Sequence, residues 1–276
     1  MSNAKTIGVI AIKGGVGKTT ATSNLGAVLS TEFGKKVLVV DANFSAPNLG
    51  LHLGLINPKK TIHHVMADKI AIEKALYQHF NGFHIIPGSQ ISGKINPFKL
   101  KEKLEKLKGC YDFIVIDSSP ALNEEILSTM VASDELLVVS SPDYPTLSMT
   151  MRAVRAAKEK KTPIRGIILN KVRGKKFELT KEEIEEATGV PVLGVLPDDV
   201  KVLEALSETA PAALYKPNRK VSKEYVKLAA QIIGEDYKEK NVLSKLKGFI
   251  AYDIERTRKL VSKVFKREEK RKEDNI

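Results

Sequence analysis

The stretch GVIAIKGGVGKTT, Gly8–Thr20, changes character twice. Its opening residues are apolar or small, the pattern of a strand covered on both faces. Glycine then dominates, and from Lys18 onward the apolar spacing turns helical. Gly14, Gly15 and Gly17 let the backbone curl so that successive N–H groups face inward. Such a cradle, Gly14–Thr20 with Val16 and Thr20 inside it, takes phosphate oxygens, and the helix N-terminus behind it adds partial positive charge. Lys18 stands where it can bridge outer phosphates, and the Thr19 hydroxyl where it can ligate Mg²⁺.

Outward from this point the same alternation repeats. Short β-branched runs at Thr6–Ile12, Val37–Asp41, His84–Pro87, Phe113–Asp117, Glu135–Ser140, Gly166–Asn170 and Val192–Leu196 read as buried strands. Between and after them lie helical patterns at Lys18–Phe33, Pro97–Lys108, Asn123–Val131, Thr146–Lys160, Thr180–Thr188, Lys201–Glu208 and Ser222–Ile233, the last stopped by Gly234. Strands alternating with helices predict an α/β fold with a mostly parallel central sheet between two helical layers. Composition changes after Gly234, which divides the chain into a domain over residues 1–236 and a basic tail over 237–276.

A chain of 276 residues, 42% hydrophobic, can bury a large core, and without Trp that core must rest on Val, Ile, Leu and Ala. No segment approaches the ~20 apolar residues that span a bilayer, and the run Ile7–Ile12 is too short for a secretory signal. These features predict a soluble, cytoplasmic protein. The single Cys110 excludes an internal disulfide and is expected to be a small buried residue ahead of a strand. His52, His63, His64, His79 and His84 show no metal-ligand spacing, so they are expected to be solvated or core residues. The net charge is +12, and residues 238–276 hold half of it, with 13 Lys and Arg against 7 Asp and Glu. That asymmetry points to an anionic partner for the tail.

The glycine turn departs from the general phosphate loop in two ways: Ile12 replaces the first glycine, and a second lysine, Lys13, sits inside. In this KGGVGKTT resembles the deviant Walker A motif of the MinD/ParA ATPases, a P-loop NTPase group that includes nitrogenase iron protein. The resemblance covers residues 6 to about 235, and VVDANFSAPNLGLHLGL with FHIIPGS looks closer to its MinD side. It implies ATP and Mg²⁺ as ligands and an ATP-dependent homodimer in which Lys13 reaches the partner's phosphates. It makes Asp117, at the end of YDFIVID, similar to the Walker B acid, holding the Mg²⁺ shell through water. Ser118–Leu122 would then be a switch segment, Asn170 in ILNKV would read adenine through its amide, and Pro197–Asp199 would line the other side of the base. Ser140–Ser148 is expected near the dimer face, with no chemistry assigned.

The same family shows D-x-D where this chain has Asp41 and Asn43. Asp41 matches the first acid, in the outer shell of the metal. Asn43 occupies the position that orients the attacking water. Three readings stay open: Asn43 positions water with its carbonyl oxygen, turnover is weak and ATP is held, or Asp41 takes over after a loop shift. Slow hydrolysis is the expectation, because an amide cannot accept a full proton.

In the tail, Leu243, Leu246, Ile250, Ile254, Val261 and Val264 keep a spacing of three or four, with Thr257 filling the place between Ile254 and Val261, and Phe249 and Phe265 widen the stripe. Lys245 and Lys247 are among the cations beside this stripe. A helix over residues 242–265 would be roughly 36 Å long at ~1.5 Å per residue. Such an amphipathic helix suits an anionic membrane surface, and MinD relatives end in one, so peripheral membrane recruitment in the ATP state is expected. Packing on its own domain or on a partner helix is the alternative. Basic stretches RAVRAAKEKK, NKVRGKK and KPNRKVSK leave open a ParA-like reading, with DNA held through its backbone. An adaptor ATPase that loads a protein cargo is a third possibility, and the activating or cargo partner cannot be read from the residues.

Overall fold

The computed structural model describes residues 4–89 and 95–235. In chain order the main elements are β1 (Lys5–Ile10), α1 (Lys18–Thr31), β2 (Val37–Ala42), α2 (Leu49–His52), α3 (Ile62–Met66), β3 (Tyr77–Gln78), β4 (His84–Ile86) and α4 (Leu100–Glu105). They continue with β5 (Phe113–Ser118), α5 (Glu124–Ala132), β6 (Glu135–Ser140), α6 (Tyr144–Glu159), β7 (Ile164–Val172), α7 (Lys181–Thr188), β8 (Val192–Pro197), α8 (Val200–Ser207), α9 (Ala212–Tyr215) and α10 (Lys220–Ile233). The strands form one sheet in the order β3-β4-β2-β5-β1-β6-β7-β8. Only the β3–β4 pair is antiparallel.

Strand periodicity explains the three layers. Alternate residues of each strand point to opposite faces. Val37 and Val39 of β2 and Val115 of β5 pack with Leu25, Val28 and Leu29 of α1 and with Tyr225 and Leu228 of α10. Their neighbours Leu38, Val40, Ile114 and Ile116 pack on the other face with Leu100 and Leu104 of α4. Farther along that second face, Ile10, Val138 and Ile167 meet Ile126 of α5 and Val154 of α6. Two-sided burial is why these strands are nearly continuous apolar runs. It also makes the carboxylates that end β2 and β5 conspicuous: Asp41 and Asp117 are 1% and 0% exposed.

Several expectations need correcting. Pro97–Lys108 is not one helix: a 3₁₀ turn at Pro97–Lys99, capped by Asn96, leads into the short α4. Cys110 ends a second 3₁₀ turn, Lys108–Cys110, and is exposed, because the turn swings it outward before β5 begins. The one-turn helices α2, α3 and α9 and the two-residue β3 carry too few residues for a period to show. Remaining strand and helix ends agree to within about two residues, the usual scatter of such boundaries. Tail residues 237–276, including Leu243, Lys245, Leu246, Lys247, Phe249, Ile250, Val261, Val264 and Phe265, lie outside the described residues. Among the described residues no helix is long and apolar enough to cross a membrane.

Candidate functional site

β1 lies at the centre of the sheet, between β5 and β6. Its C-terminal end opens into a cavity of about 310 Å³, as expected for a crevice beyond the carboxyl edge of parallel strands. Lys13–Thr20 form its floor. Asn43, Asn48, His52 and Pro120 stand on one side, with Asn170, Lys171 and Pro197–Asp199 on the other. Val202, Leu203 and Leu206 of α8 supply an apolar wall.

The floor is built by glycine. Gly15 and Gly17 have φ of +77° and +95°, which L side chains rarely adopt. A Cβ on Gly17 would also collide with Asn170 Nδ2. Gly17 is the N-cap of α1 and offers no side-chain acceptor to the first-turn N–H groups. In contrast α5, α6, α7 and α8 are capped by Asn123, Asp143, Thr180 and Asp199. The free N–H groups of α1 and its dipole therefore form an anion site at the cavity floor.

Beneath the floor lies a compact polar network. Lys18 Nζ is 3.2 Å from Asp117 Oδ1, and Thr19 Oγ1 donates to Asp117 Oδ2 at 2.7 Å. Thr22 Oγ1 adds a 3.3 Å bond to Asp117 Oδ1, and Asn48 Oδ1 lies 3.2 Å from Thr19 Oγ1. Hydroxyl, carboxylate and amide oxygens thus converge, a hard-donor set suited to Mg²⁺ completed by phosphate and water. Among the described residues there is no group of three or more His, Cys, Asp or Glu that could hold a metal by itself.

Asp41 sits in register beside Asp117 but does not reach the cavity wall. Its two oxygens accept the backbone N–H groups of Asn43 at 3.1 Å and Leu49 at 3.0 Å. Burial, and then the Asp117 charge, push its carboxyl up to about 7 against the pull of those N–H groups and of Lys18. Asn43 is 5% exposed; its Nδ2 donates to Ala46 O at 2.6 Å. Its Oδ1 is buried without a partner among the described residues.

On the opposite wall Asn170 Nδ2 donates to Val16 O at 2.8 Å, and Lys171 Nζ donates to Gly15 O at 2.7 Å. Both bonds tie β7 to the glycine turn and leave Asn170 Oδ1 as the amide atom not used in the tie. Asp198 pairs with Arg173 at 2.7 Å, while Asp199 pairs with Arg219 at 2.9 Å and caps α8 through Lys201 N. Lys13 extends away from Lys18, 3.2 Å from Asp143 Oδ1 and 2.6 Å from Thr146 Oγ1. Burial raises the Asp143 carboxyl, but hydrogen bonds from Thr146, Ser141 and Lys13 outweigh it and hold it at about 2.

A protein-family model described as "AAA domain" matches residues 4–163. An uncharacterized ATP-binding protein of Methanocaldococcus jannaschii is 33% identical over 89% of this chain and 93% of its own length. Among solved structures, the cell division ATPase MinD of Pyrococcus furiosus superposes with a TM-score of 0.79 at 35% identity, covering 84% of this chain and 99% of its own. The chain belongs to the MinD/ParA family of ATPases. A further structural relative, the septum site-determining protein MinD of Pyrococcus horikoshii solved with Mg-ADP, gives a TM-score of 0.78 at 33% identity, covering 88% and 98%.

In this MinD/ParA chain the cavity brings together Lys13–Thr20, Asn43, Asn170, Pro197 and Asp199, with Asp117 below. Asp41 is the exception: with both oxygens taken by backbone N–H groups, it braces the loop after β2. Several participants escape the sequence reading: Thr22 in the network, Lys171 and the α8 wall of Val202, Leu203 and Leu206, and also Asn48, His52 and Asp143. Asn48, seven residues after Asp41, and His52, one helical turn after Asn48, reach the cavity through the short α2. Burial depresses the His52 pKa, outweighing the pull of the Asp117 charge. Asp143 lay within Ser140–Ser148, a stretch expected at the dimer face without a chemical role. His63 and His79 are core residues: His63 Nε2 is 2.9 Å from Phe44 O, and His79 stacks on Phe83.

Proposed function

We propose that this chain is a MinD-like switch that binds ATP with Mg²⁺ in the cavity at the end of β1 and hydrolyses it slowly. The observation that carries this reading is the joint grip of Lys18 and Thr19 on Asp117 under a glycine-built, uncapped helix N-terminus. Gly14–Thr19 present N–H groups to the phosphates, and Lys18 turns from Asp117 toward the outer phosphate oxygens when they arrive. Thr19, and Asp117 through water, would hold Mg²⁺, whose charge would offset that of the phosphates. Asn170 Oδ1 accepts from the adenine amino group, with Pro197–Asp199 and α8 against the other side of the base.

Asn43 lines the cavity, and its Oδ1, without a partner among the described residues, is the atom we assign as acceptor for the attacking water. Orientation without proton uptake makes the reaction slow. Lys13 leaves Asp143 to reach the partner's phosphates in an ATP-bound homodimer. The domain is residues 1–236, and residues 237–276 form the basic amphipathic segment that brings the dimer to an anionic membrane, two tails binding better than one. The process served is spatial positioning, as at a division site, with an activating or cargo protein as further partner.

A DNA-bound, ParA-like role has one structural observation in its favour. Arg155, Lys158, Lys160 and Lys161, on and after α6, are exposed and form no ion pair among the described residues. Co-sedimentation with anionic liposomes separates the two. The full chain should pellet with ATP and remain in solution with ADP, and truncation after Gly234 should abolish pelleting. Tail-independent, ATP-dependent DNA retention without liposome binding would overturn the membrane reading.

A further inference from the structure

The strands β2 and β5 lie side by side in register, Asp41 opposite Asp117 and Ala42 opposite Ser118. The loops that leave them therefore start as neighbours at the cavity edge. The first, Asn43–Asn48, carries Asn43 and Asn48 to the cavity wall; the second carries Pro120 there before entering α5. One side chain joins them. Glu125, in the first turn of α5, accepts from Ser45 Oγ with Oε1 and from Ser45 N with Oε2 at 3.4 Å.

Glu125 is only 9% exposed and forms no ion pair among the described residues. A carboxyl group withdrawn from water needs hydrogen-bond partners, and among the described residues Ser45 is the residue that supplies them to this side chain. The position in the first turn of α5 adds favourable helix polarity. On the loop side, Ser45 is followed by Ala46, whose carbonyl fixes Asn43 Nδ2 at 2.6 Å. With Nδ2 fixed, the planar amide aims Oδ1. The contacts thus run Glu125, Ser45, Ala46, Asn43, from the second loop's helix to the amide that faces the cavity.

We infer that Glu125 is a positioning residue: through Ser45 it clamps the Asn43–Asn48 loop to α5 and sets the aim of the Asn43 amide, so that the two loops bordering the cavity move as one. The inference rests on the reading that the site hydrolyses ATP with Asn43 beside the attacking water. Small misplacements of such a group lower the rate of the chemical step with little effect on nucleotide affinity.

The test uses the full chain with Glu125→Ala, Glu125→Gln, Ser45→Ala and the double variant Ser45→Ala/Glu125→Ala. Four quantities are measured: amide hydrogen exchange of residues 44–49 without nucleotide, ATP affinity with Mg²⁺, the single-turnover hydrolysis rate and the melting temperature. Glu125→Ala and Ser45→Ala should each speed loop exchange about 10-fold or more. Each should slow hydrolysis about 10- to 100-fold, with ATP affinity within about 3-fold of wild type. The double variant should be no worse than either single one, since both break the same contact. Glu125→Gln, which keeps one oxygen for Ser45 Oγ, should recover part of the rate. Unchanged exchange and rate in Glu125→Ala, additive losses in the double variant, or affinity and rate falling together with the melting temperature would overturn the inference. Wild-type protein that binds no ATP would sink the ATPase reading instead, and loop exchange would still judge the clamp.

Discussion

Lys13 is paired with Asp143 of its own chain, 3.2 Å away across 130 residues of sequence. The same ammonium cannot hold Asp143 and reach a second molecule's phosphates. Both partners are about 40% exposed, so the pair is worth a fraction of a kcal/mol up to about 1 kcal/mol. Asp143→Asn keeps a cap on α6 while removing the charge. It should shift ATP-dependent dimerisation to about two- to fivefold lower protein concentration in sedimentation velocity. An unchanged or weaker association would show that the contact does not compete with dimer formation.

Gly17 carries two constraints at once, a φ of +95° and the close approach of Asn170. Gly17→Ala should therefore cost about 1–3 kcal/mol of stability and remove measurable ATP binding. Gly14, around which a Cβ would meet nothing within 4 Å, is the matched control. Gly14→Ala should melt close to wild type. Equal losses in the two variants would count against the tight packing of Gly17.

On the proposed reading, Asn43 would limit the rate because its amide would orient water without taking the proton. In single-turnover assays Asn43→Asp should hydrolyse ATP at least about 10-fold faster than wild type, a modest share of the ~10²–10⁴-fold that a well-placed general base contributes. Binding of ATP should survive the change. A rate that stays level or drops would remove Asn43 as the source of slow turnover.

Asp41 makes stability depend on pH. Its carboxyl rises from an ordinary 3.8 to about 7 in the fold, chiefly through burial and the Asp117 charge. The folded state therefore binds the extra proton between those values, so the slope of stability with pH is negative there. This contribution is fully present below about pH 4 and is lost as pH rises through about 7. Nuclear magnetic resonance should find an Asp41 titration midpoint near neutrality, displaced downward by Asp117→Asn. A midpoint near 4 in the wild type would contradict the buried, charge-opposed setting.

The residues that could be read in advance are those whose chemistry depends on type and close spacing. Gly14–Thr19 is contiguous, and Asp117 and Asn170 each end a buried apolar strand, so their places at one sheet edge follow from parallel topology. Asn48 and His52 belong to a single helical turn with no measurable period. The Lys13–Asp143 and Ser45–Glu125 contacts join loops 130 and 80 residues apart, and no local pattern encodes such partners. Cys110, a small residue ahead of a strand, reads as buried in the sequence, whereas the 3₁₀ turn at Lys108–Cys110 leaves it exposed. Asp41 and Asp117 look alike as strand-ending acids; only the backbone N–H groups of Asn43 and Leu49 separate a brace from a ligand.

Titration calorimetry of the full chain with ATP and Mg²⁺ bears most directly on the cradle formed by Gly14–Thr19. Saturable one-to-one binding to wild type, abolished or weakened at least about 100-fold by Lys18→Ala, is the expected outcome, since Lys18 is the cation set among the phosphate-facing N–H groups. No heat of binding in the wild type, or unaltered affinity in Lys18→Ala, would contradict the assignment of this cavity to a nucleoside triphosphate.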